Sequence, residues 1–391
     1  MNILGVVVEY NPFHHGHAFH LEASKEKTKA DLTVAVMSGS FLQRGEPAVL
    51  SSYERAAVAA RMGVDLVFEL PYAFAVQSAD RFAEGAVKLL KAAGATAVCF
   101  GSEQGSIDPF LYQADLEKTH QAQLHTLLHK NLGAGMSFPS AYAKAAASLS
   151  PDHSLDVKQP NNILGLHYVK AAQRLQLEAA TIQRRAAGYH DVEPTDARIA
   201  SATSIRHMLT SKRIGEAQAY MPDDSAASVT EQLQQTGVLP IWETYYSLLQ
   251  YRILTASPED LAATAECREG IEHRLKAAVF EPDFASFIKH VKTKRYTRTS
   301  LQRLCTHILT NTSKTEIKDT FENEPPLHLL AATERGRKHL RTLRQRDIHP
   351  TVKGSSQWKT DPLSASAYDV HQLAFPTHSR SSAFKQFARM V

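Results

Sequence analysis

Short apolar runs alternate with amphipathic stretches through the first hundred residues. Ile3 to Glu9, Leu32 to Met37, Leu66 to Leu70 and Ala97 to Gly101 are rich in Val, Ile, Leu and Phe and bounded by polar or turn residues, which predicts buried strands. Between them, His17 to Lys29, Ser52 to Met62 and Ala79 to Ala93 repeat apolar residues at helical spacing. Ser51, followed three residues later by Glu54, predicts a capping box at the second of these helices. Strands that alternate with helices pair in parallel. The pattern therefore predicts an α/β protein with an N-terminal, doubly wound parallel sheet that takes its ligand at the carboxyl ends of the strands.

Further along, Pro109 to Leu149 is predicted helical, Pro160-Asn161-Asn162-Ile163 opens another helix, and Ala179 to Gln183 is a further strand. Beyond about residue 215 the period turns helical, over Ile241 to Leu254, Leu261 to Val279 and Leu301 to Leu309. A chain of 391 residues can bury two cores. Two domains are expected, 1–215 and 216–391, the second mostly α-helical, with Pro222-Asp223-Asp224-Ser225 as the linker because it joins a proline to small polar residues. The sequence holds no internal repeat and no low-complexity tract.

Composition narrows the class. Apolar residues make up 43% and charged residues 21%, the profile of a soluble globular protein. The longest apolar run, Leu66 to Val76, is interrupted by Glu69 and Pro71 and is too short for a membrane span. The chain enters its first strand without a basic leader, so no secretory signal is expected. Cys99, Cys267 and Cys305 have no CxxC spacing, which argues against a disulfide framework and a thiolate zinc site, and a cytoplasmic location is expected. The net charge of +4 is unevenly spread: residues 1–200 carry 18 basic against 20 acidic residues, and residues 201–391 carry 26 against 20. A basic second half is compatible with a polyanionic partner.

The chemistry concentrates just past the first strand, where Asn11-Pro12-Phe13 forms a turn sequence before His14-His15-Gly16-His17. Gly16 lets backbone approach a phosphate, and the helix that follows points its positive end at the same place. Imidazoles held there can donate hydrogen bonds to phosphate oxygens as charge builds in a transition state. Three other readings compete. A packed or solvated histidine cluster is the plainest, and zinc is the second, since His14, His15, His17 and His20 are dense in nitrogen ligands, although no HExxH or carboxylate spacing accompanies them. A Walker loop is excluded because GxxxxGK[ST] is absent.

His14-His15-Gly16-His17 matches the HxGH motif of the nucleotidyltransferase superfamily, and Ser201-Ala202-Thr203-Ser204-Ile205-Arg206 matches its second, ISSTxxR-like motif, with Ala202 in place of a second serine. The resemblance narrows with Val8 to His14, Ser38-Gly39-Ser40-Phe41, Gln43-Arg44-Gly45-Glu46-Pro47, Phe100-Gly101-Ser102-Glu103, Asn161-Asn162-Ile163-Leu164-Gly165 and Gly188-Tyr189-His190-Asp191. Together these resemble the family of bacterial tRNA(Met) cytidine acetate ligases over most of the chain, most strongly up to about residue 210. The resemblance implies a Rossmann-like catalytic domain. It also implies activation of acetate by ATP to acetyl-adenylate, and transfer of the acetyl group to N4 of the wobble cytidine of elongator tRNA(Met).

Carried over residue by residue, the resemblance makes His14, His17, Ser201, Thr203 and Arg206 the catalytic set. The histidines would steady the β- and γ-phosphates, and Arg206, Ser201 and Thr203 would close from the other side. The expected ATP-binding stretch runs through Val7, Val8, Glu9, Tyr10, Asn11, Pro12 and Phe13 into His14, His15, Gly16 and His17, with His20 a turn further on. Gly101 is expected beside adenine or ribose. Asn161 or Asn162 is expected to bind nucleotide or else to cap its helix; Arg184 or Arg185, just after a strand, is expected to contact nucleotide, with Arg184 preferred by its spacing and Arg185 otherwise a solvated charge. Mg2+ is expected with ATP, as the sequence shows no dedicated metal cage.

In the second half, Lys292, Lys294, Arg295, Arg298 and Arg303 crowd around Tyr296, and a second cluster runs through Arg335, Arg337, Lys338, Arg341, Arg344 and Arg346. The first group is the expected tRNA surface: cations on the phosphates, Tyr296 stacked on an unpaired base. A solvated helix face is the alternative. Two rival functions share some of these features. A small-molecule adenylyltransferase of the pantetheine-phosphate or nicotinate-mononucleotide kind would need no basic second half, and a non-catalytic RNA-binding relative would not need His14 and His17.

Overall fold

The computed structural model describes residues 1–149, 155–184, 199–268, 270–351 and 359–391. Among these residues seven strands form one sheet: β1 (Ile3–Val8), β2 (Leu32–Ser38), β3 (Leu66–Leu70), β4 (Ala97–Ser102), β5 (Glu178–Gln183), β6 (His328–Ala332) and β7 (Arg389–Met390). Their order is β5-β4-β1-β2-β3-β6-β7. The first five are mutually parallel, with Ile3 opposite Leu32, Val34 opposite Leu66, Leu4 opposite Ala97 and Ala97 opposite Glu178. The chain winds outward from β1 to β3, then returns across the sheet to place β4 on the other side of β1. That reversal puts the ligand crevice of such folds between the carboxyl ends of β1 and β4.

Strand alternation feeds two cores. Val34, Val36, Phe68 and Val98 pack on one face, and Leu4, Val6, Ala35, Met37 and Val67 on the other. The helices α1 (His15–Thr28) and α2 (Ser52–Arg61) cover the second face, and the helices Ala79–Ala92 and Pro160–Leu175 cover the first. All four early strands and the three early helices lie where the hydrophobic period predicts them, within two residues at each end. The capping box is half formed: Ser51 Oγ accepts from Glu54 N at 3.2 Å, but the Glu54 carboxylate pairs with Arg389 at 3.0 Å.

Two expectations change and a third is extended. The long helical stretches are broken: Pro109 to Leu149 becomes the helices Asp108–Thr119, Gln121–Gly133 and Phe138–Leu149, and Leu261 to Val279 becomes Pro258–Ala263 and Ile271–Ala277. The second break contains Glu266 and Gly270, both with positive φ. The half expected to be mostly helical also supplies β6, antiparallel to β3, and β7 beside it, so the two halves share a sheet across the expected boundary. A short apolar run such as 329–332 carries no periodicity that separates strand from buried helix. Finally, Pro222-Asp223-Asp224-Ser225 is no linker. Pro222 caps the helix Asp223–Thr236, and the buried Ser225 hydroxyl donates to the carbonyl of Phe13 at 2.7 Å.

Candidate active site

The chain leaves β1 through Glu9 and Tyr10 and enters α1 at His14, its N-cap. His14 Nδ1 accepts the Gly16 N–H at 3.0 Å, and His17 Nδ1 accepts the His14 N–H at 3.3 Å. The rings stack 3.7 Å apart, and Tyr10 and Phe13 close the apolar side of His17 with ring centroids at 4.9 and 5.7 Å. Gly16 is required by this cap: a Cβ there would lie 2.9 Å from Cε1 of His14. The loop is clamped from the second half, by Tyr220 O accepting from His15 N at 3.1 Å and by Ser225 on Phe13.

Burial, then the nearby charge of Arg184, pushes the His14 imidazole down to about 3 and lowers that of His20 to about 4. His17 also falls well below the ordinary value, through burial first and His14 next. All three rings are neutral at pH 7. A neutral ring whose Nδ1 is an acceptor carries its proton on Nε2. His14 and His17 are therefore fixed as paired Nε2–H donors, a state that backbone geometry decides and composition does not reveal.

Arg206, in the middle of the helix Ala202–Thr210, donates from Nη1 to Asn11 O at 3.0 Å and from Nη2 to Glu46 Oε2 at 2.8 Å, with Thr203 Oγ1 at 3.5 Å. Ser201 caps that helix, accepting from Ser204 N at 3.0 Å. The two motifs thus meet in space: Arg206 contributes to lowering the His14 pKa and is bonded to the loop that carries it. On the β4 side, Arg184 continues the β5 ladder with its N–H on Ser102 O at 3.0 Å, and its side chain faces Gly101 and His20. A Cβ added at Gly101 would stand 3.4 Å from both, in the space between them. Arg185 and Gly188-Tyr189-His190-Asp191 lie outside the described residues.

Several predicted residues are held by the fold itself. Asn162 is buried; its Oδ1 accepts from Glu103 N and Gln104 N at 3.1 Å and its Nδ2 donates to Asp156 O at 3.1 Å. Asn161 donates to the Glu103 carboxylate at 2.6 Å, so this asparagine pair fastens the loop after β4 to a helix start. Glu9 is half-buried, its carboxylate accepting from Gln43 N at 2.8 Å, and Asn11 Oδ1 accepts from Val49 N at 2.8 Å. Arg55 is the residue that sequence reasoning missed. It lies buried beneath the loop and donates to the carbonyls of Glu9, Gly39 and Leu50. An arginine in an alanine-rich helix offers no signal of that role.

In the second half, Lys292, Lys294, Arg295 and Arg298 are exposed on and before the helix Arg298–Leu309. Arg303 is not part of that surface: it is buried and paired with Glu266 at 2.7 Å. The ring of Tyr296 packs on the helical core and its hydroxyl donates to Arg268 O, which limits the face available to a base. Arg335 holds Asp65 through two bonds, at 2.8 and 2.9 Å. Among the described residues no group of three His, Cys, Asp or Glu is placed to hold a metal ion, and no helix is long and apolar enough to cross a membrane.

The family model described as HIGH Nucleotidyl Transferase matches residues 1–386. The tRNA(Met) cytidine acetate ligase of Anoxybacillus flavithermus is 45% identical over 93% of this chain and 92% of its own. That of a Geobacillus species is 42% identical over 99% and 98%. Among solved structures, Thermotoga maritima TmcAL in its apo form superposes with a TM-score of 0.93 at 31% identity over the full length of both chains. The same protein bound with alpha-thio ATP gives 0.90.

Proposed function

Because the chain belongs to the HIGH nucleotidyl transferases, and within them to the tRNA(Met) cytidine acetate ligases, we propose that it condenses acetate with ATP and acetylates N4 of the wobble cytidine of elongator tRNA(Met). It is a ligase. An acetate oxygen attacks the α-phosphorus, and pyrophosphate leaves to give acetyl-AMP. The cytidine amine then attacks the acetyl carbonyl, loses a proton and expels AMP. Acetate is a poor acyl donor until its oxygen is joined to AMP, and the protein's work in the first step is positioning and charge stabilisation.

The observation that carries this reading is the fixed pair of Nε2–H donors, His14 and His17, at the β1/β4 crevice. Held neutral and oriented before substrate arrives, they donate to the β- and γ-phosphates without reorganising in the transition state. Arg206, with Ser201 and Thr203, covers the phosphates from the opposite side, and Arg184 and Gly101 border the nucleoside. Of the stretch Val7 to Phe13, Glu9 and Asn11 act by shaping the loop, and Asn162 acts through the loop after β4. Mg2+, if it accompanies ATP, would offset the charge of the triphosphate, and no dedicated cage of side chains for it is present among the described residues. Lys292, Lys294, Arg295 and Arg298 supply cations to the tRNA backbone.

The small-molecule adenylyltransferase alternative is disfavoured because the relatives match through the basic second half as well. The direct test is incubation with labelled acetate, ATP and total bacterial tRNA, followed by nucleoside analysis. N4-acetylcytidine confined to the tRNA(Met) fraction supports the reading, and label that stays out of RNA overturns it.

A further inference from the structure

The second-motif arginine does not stand alone. Glu46 reaches Arg206 from a hairpin between β2 and α2, closed by Leu42 N on Glu46 O at 2.9 Å and Ala48 N on Ser40 O at 2.9 Å. The tip of that hairpin rests on the second half of the chain. Thr306 Oγ1 donates to Gly45 O at 2.8 Å, and Gly45, at φ 76, lies so close to the helix Arg298–Leu309 that a Cβ would be 2.5 Å from Arg303 N. The far side of the hairpin is tied to the catalytic loop through Gln43 N on Glu9 and Val49 N on Asn11. The Glu46 carboxylate is thus delivered to Arg206 by an element seated on both halves.

From this arrangement we propose that Glu46 is a positioning residue for adenylation: it orients the Arg206 guanidinium toward the triphosphate site and does not itself touch the nucleotide. A guanidinium carries five N–H groups. Among the described residues Asn11 engages Nη1, and Glu46 and Thr203 engage Nη2, which fixes the plane of the guanidinium beside the loop that carries His14. Asn11 O and Thr203 Oγ1 are neutral, so Glu46 is the one partner among these that holds the guanidinium by charge as well as by a hydrogen bond. Orientation of this kind matters most in the transition state. Once released, the arginine still reaches a ground-state phosphate, and its charge is no longer offset by a carboxylate.

This rests on the phosphate-binding role of Arg206 proposed above, and kinetics and binding separate the two. In Glu46→Ala, kcat for acetate-driven ATP–pyrophosphate exchange is expected to fall about tenfold or more while the KM for ATP is unchanged or lower. Glu46→Asp recovers part of the rate. Affinity for α-thio ATP, which requires no acetate chemistry, falls in Arg206→Ala but not in Glu46→Ala, and Glu46→Ala adds nothing in the Arg206→Ala background. A wild-type rate in Glu46→Ala overturns the proposal. So does a parallel loss of nucleotide affinity, or a cost that persists without Arg206. If α-thio ATP binds equally well to Arg206→Ala and wild type, the phosphate role of Arg206 fails, and the inference about Glu46 fails with it. If wild type shows no acetate-driven exchange, the acetate reading fails, and the binding comparison alone decides on Glu46.

Discussion

His14 and His17 stack with ring centroids 3.7 Å apart, and each turns Nδ1 to a backbone N–H of the same turn. One interaction caps the helix and sets the tautomer, so the group that starts α1 is also the group that presents a donor at its end. The histidines thus have a structural role beside the chemical one proposed for them, and the predictions separate these two contributions.

His17→Ala is expected to reduce acetate-driven ATP–pyrophosphate exchange by about a hundredfold or more, the usual effect of removing one oriented donor from a charge-stabilising site. Binding of tRNA should be nearly intact, since the basic surface lies in the second half. His14→Ala removes the cap as well and should cost about 1 kcal/mol of stability in addition. Exchange at the wild-type rate in His17→Ala would show that the loop does not handle phosphate.

Stability should decline with acid through a defined window. The unfolded chain takes up a proton on each histidine near pH 6.5, whereas folded His14 and His20 do so only near 3 and 4. The unfolded state thus binds more protons over that interval, and the stability these rings contribute is complete above pH 6.5 and lost as pH falls toward 4. Thermal melts between pH 8 and 4.5 should show Tm falling on the acid side. The rate of exchange should be free of an imidazole titration between pH 6 and 8; a step near 6.5 would mean that a ring charges in the folded site.

Arg303→Ala and a Lys294→Ala/Arg295→Ala double variant should behave oppositely. Removing Arg303 strands the buried Glu266 carboxylate and should cost roughly 3 kcal/mol, seen in denaturant unfolding. Removing Lys294 and Arg295 should leave unfolding unchanged but weaken tRNA binding and flatten its salt dependence by about one per lost phosphate contact. Equal salt slopes in the double variant and wild type would remove this surface from the tRNA interface.

Gly45→Ala should destabilise the protein by about 1–3 kcal/mol, because a Cβ meets the backbone of Gln302 and Arg303 and the residue must hold a left-handed conformation. The hairpin that carries Glu46 would move with it, so exchange activity should fall along with Tm. An unchanged melting temperature would show that the hairpin tip is not pressed on the helix as described.

Local pattern made much of the catalytic half legible. Ile3 to Glu9 and Leu32 to Met37 are short apolar runs that terminate as buried strands must, and the glycine between His14 and His17 marks a helix start where ligands gather. The same logic misread Pro222 to Ser225, whose proline and polar residues suit a helix N-terminus as well as a linker, and it missed β6, whose four apolar residues after His328 have no period.

What the sequence determined by itself, then, is the order of strands and helices in the first hundred residues and the position of the two motifs, because hydrophobic periodicity and turn chemistry act between near neighbours. Only the tertiary structure decided that Arg206 meets Glu46 and Asn11, that Arg303 is spent on Glu266, that Asn162 holds a loop, and that the proton of His17 sits on Nε2. Each of these depends on which groups face a buried polar atom. That is set by packing between segments distant in the chain, and a side chain of the same type is a ligand, a cap or a core ion pair according to what the fold brings opposite it.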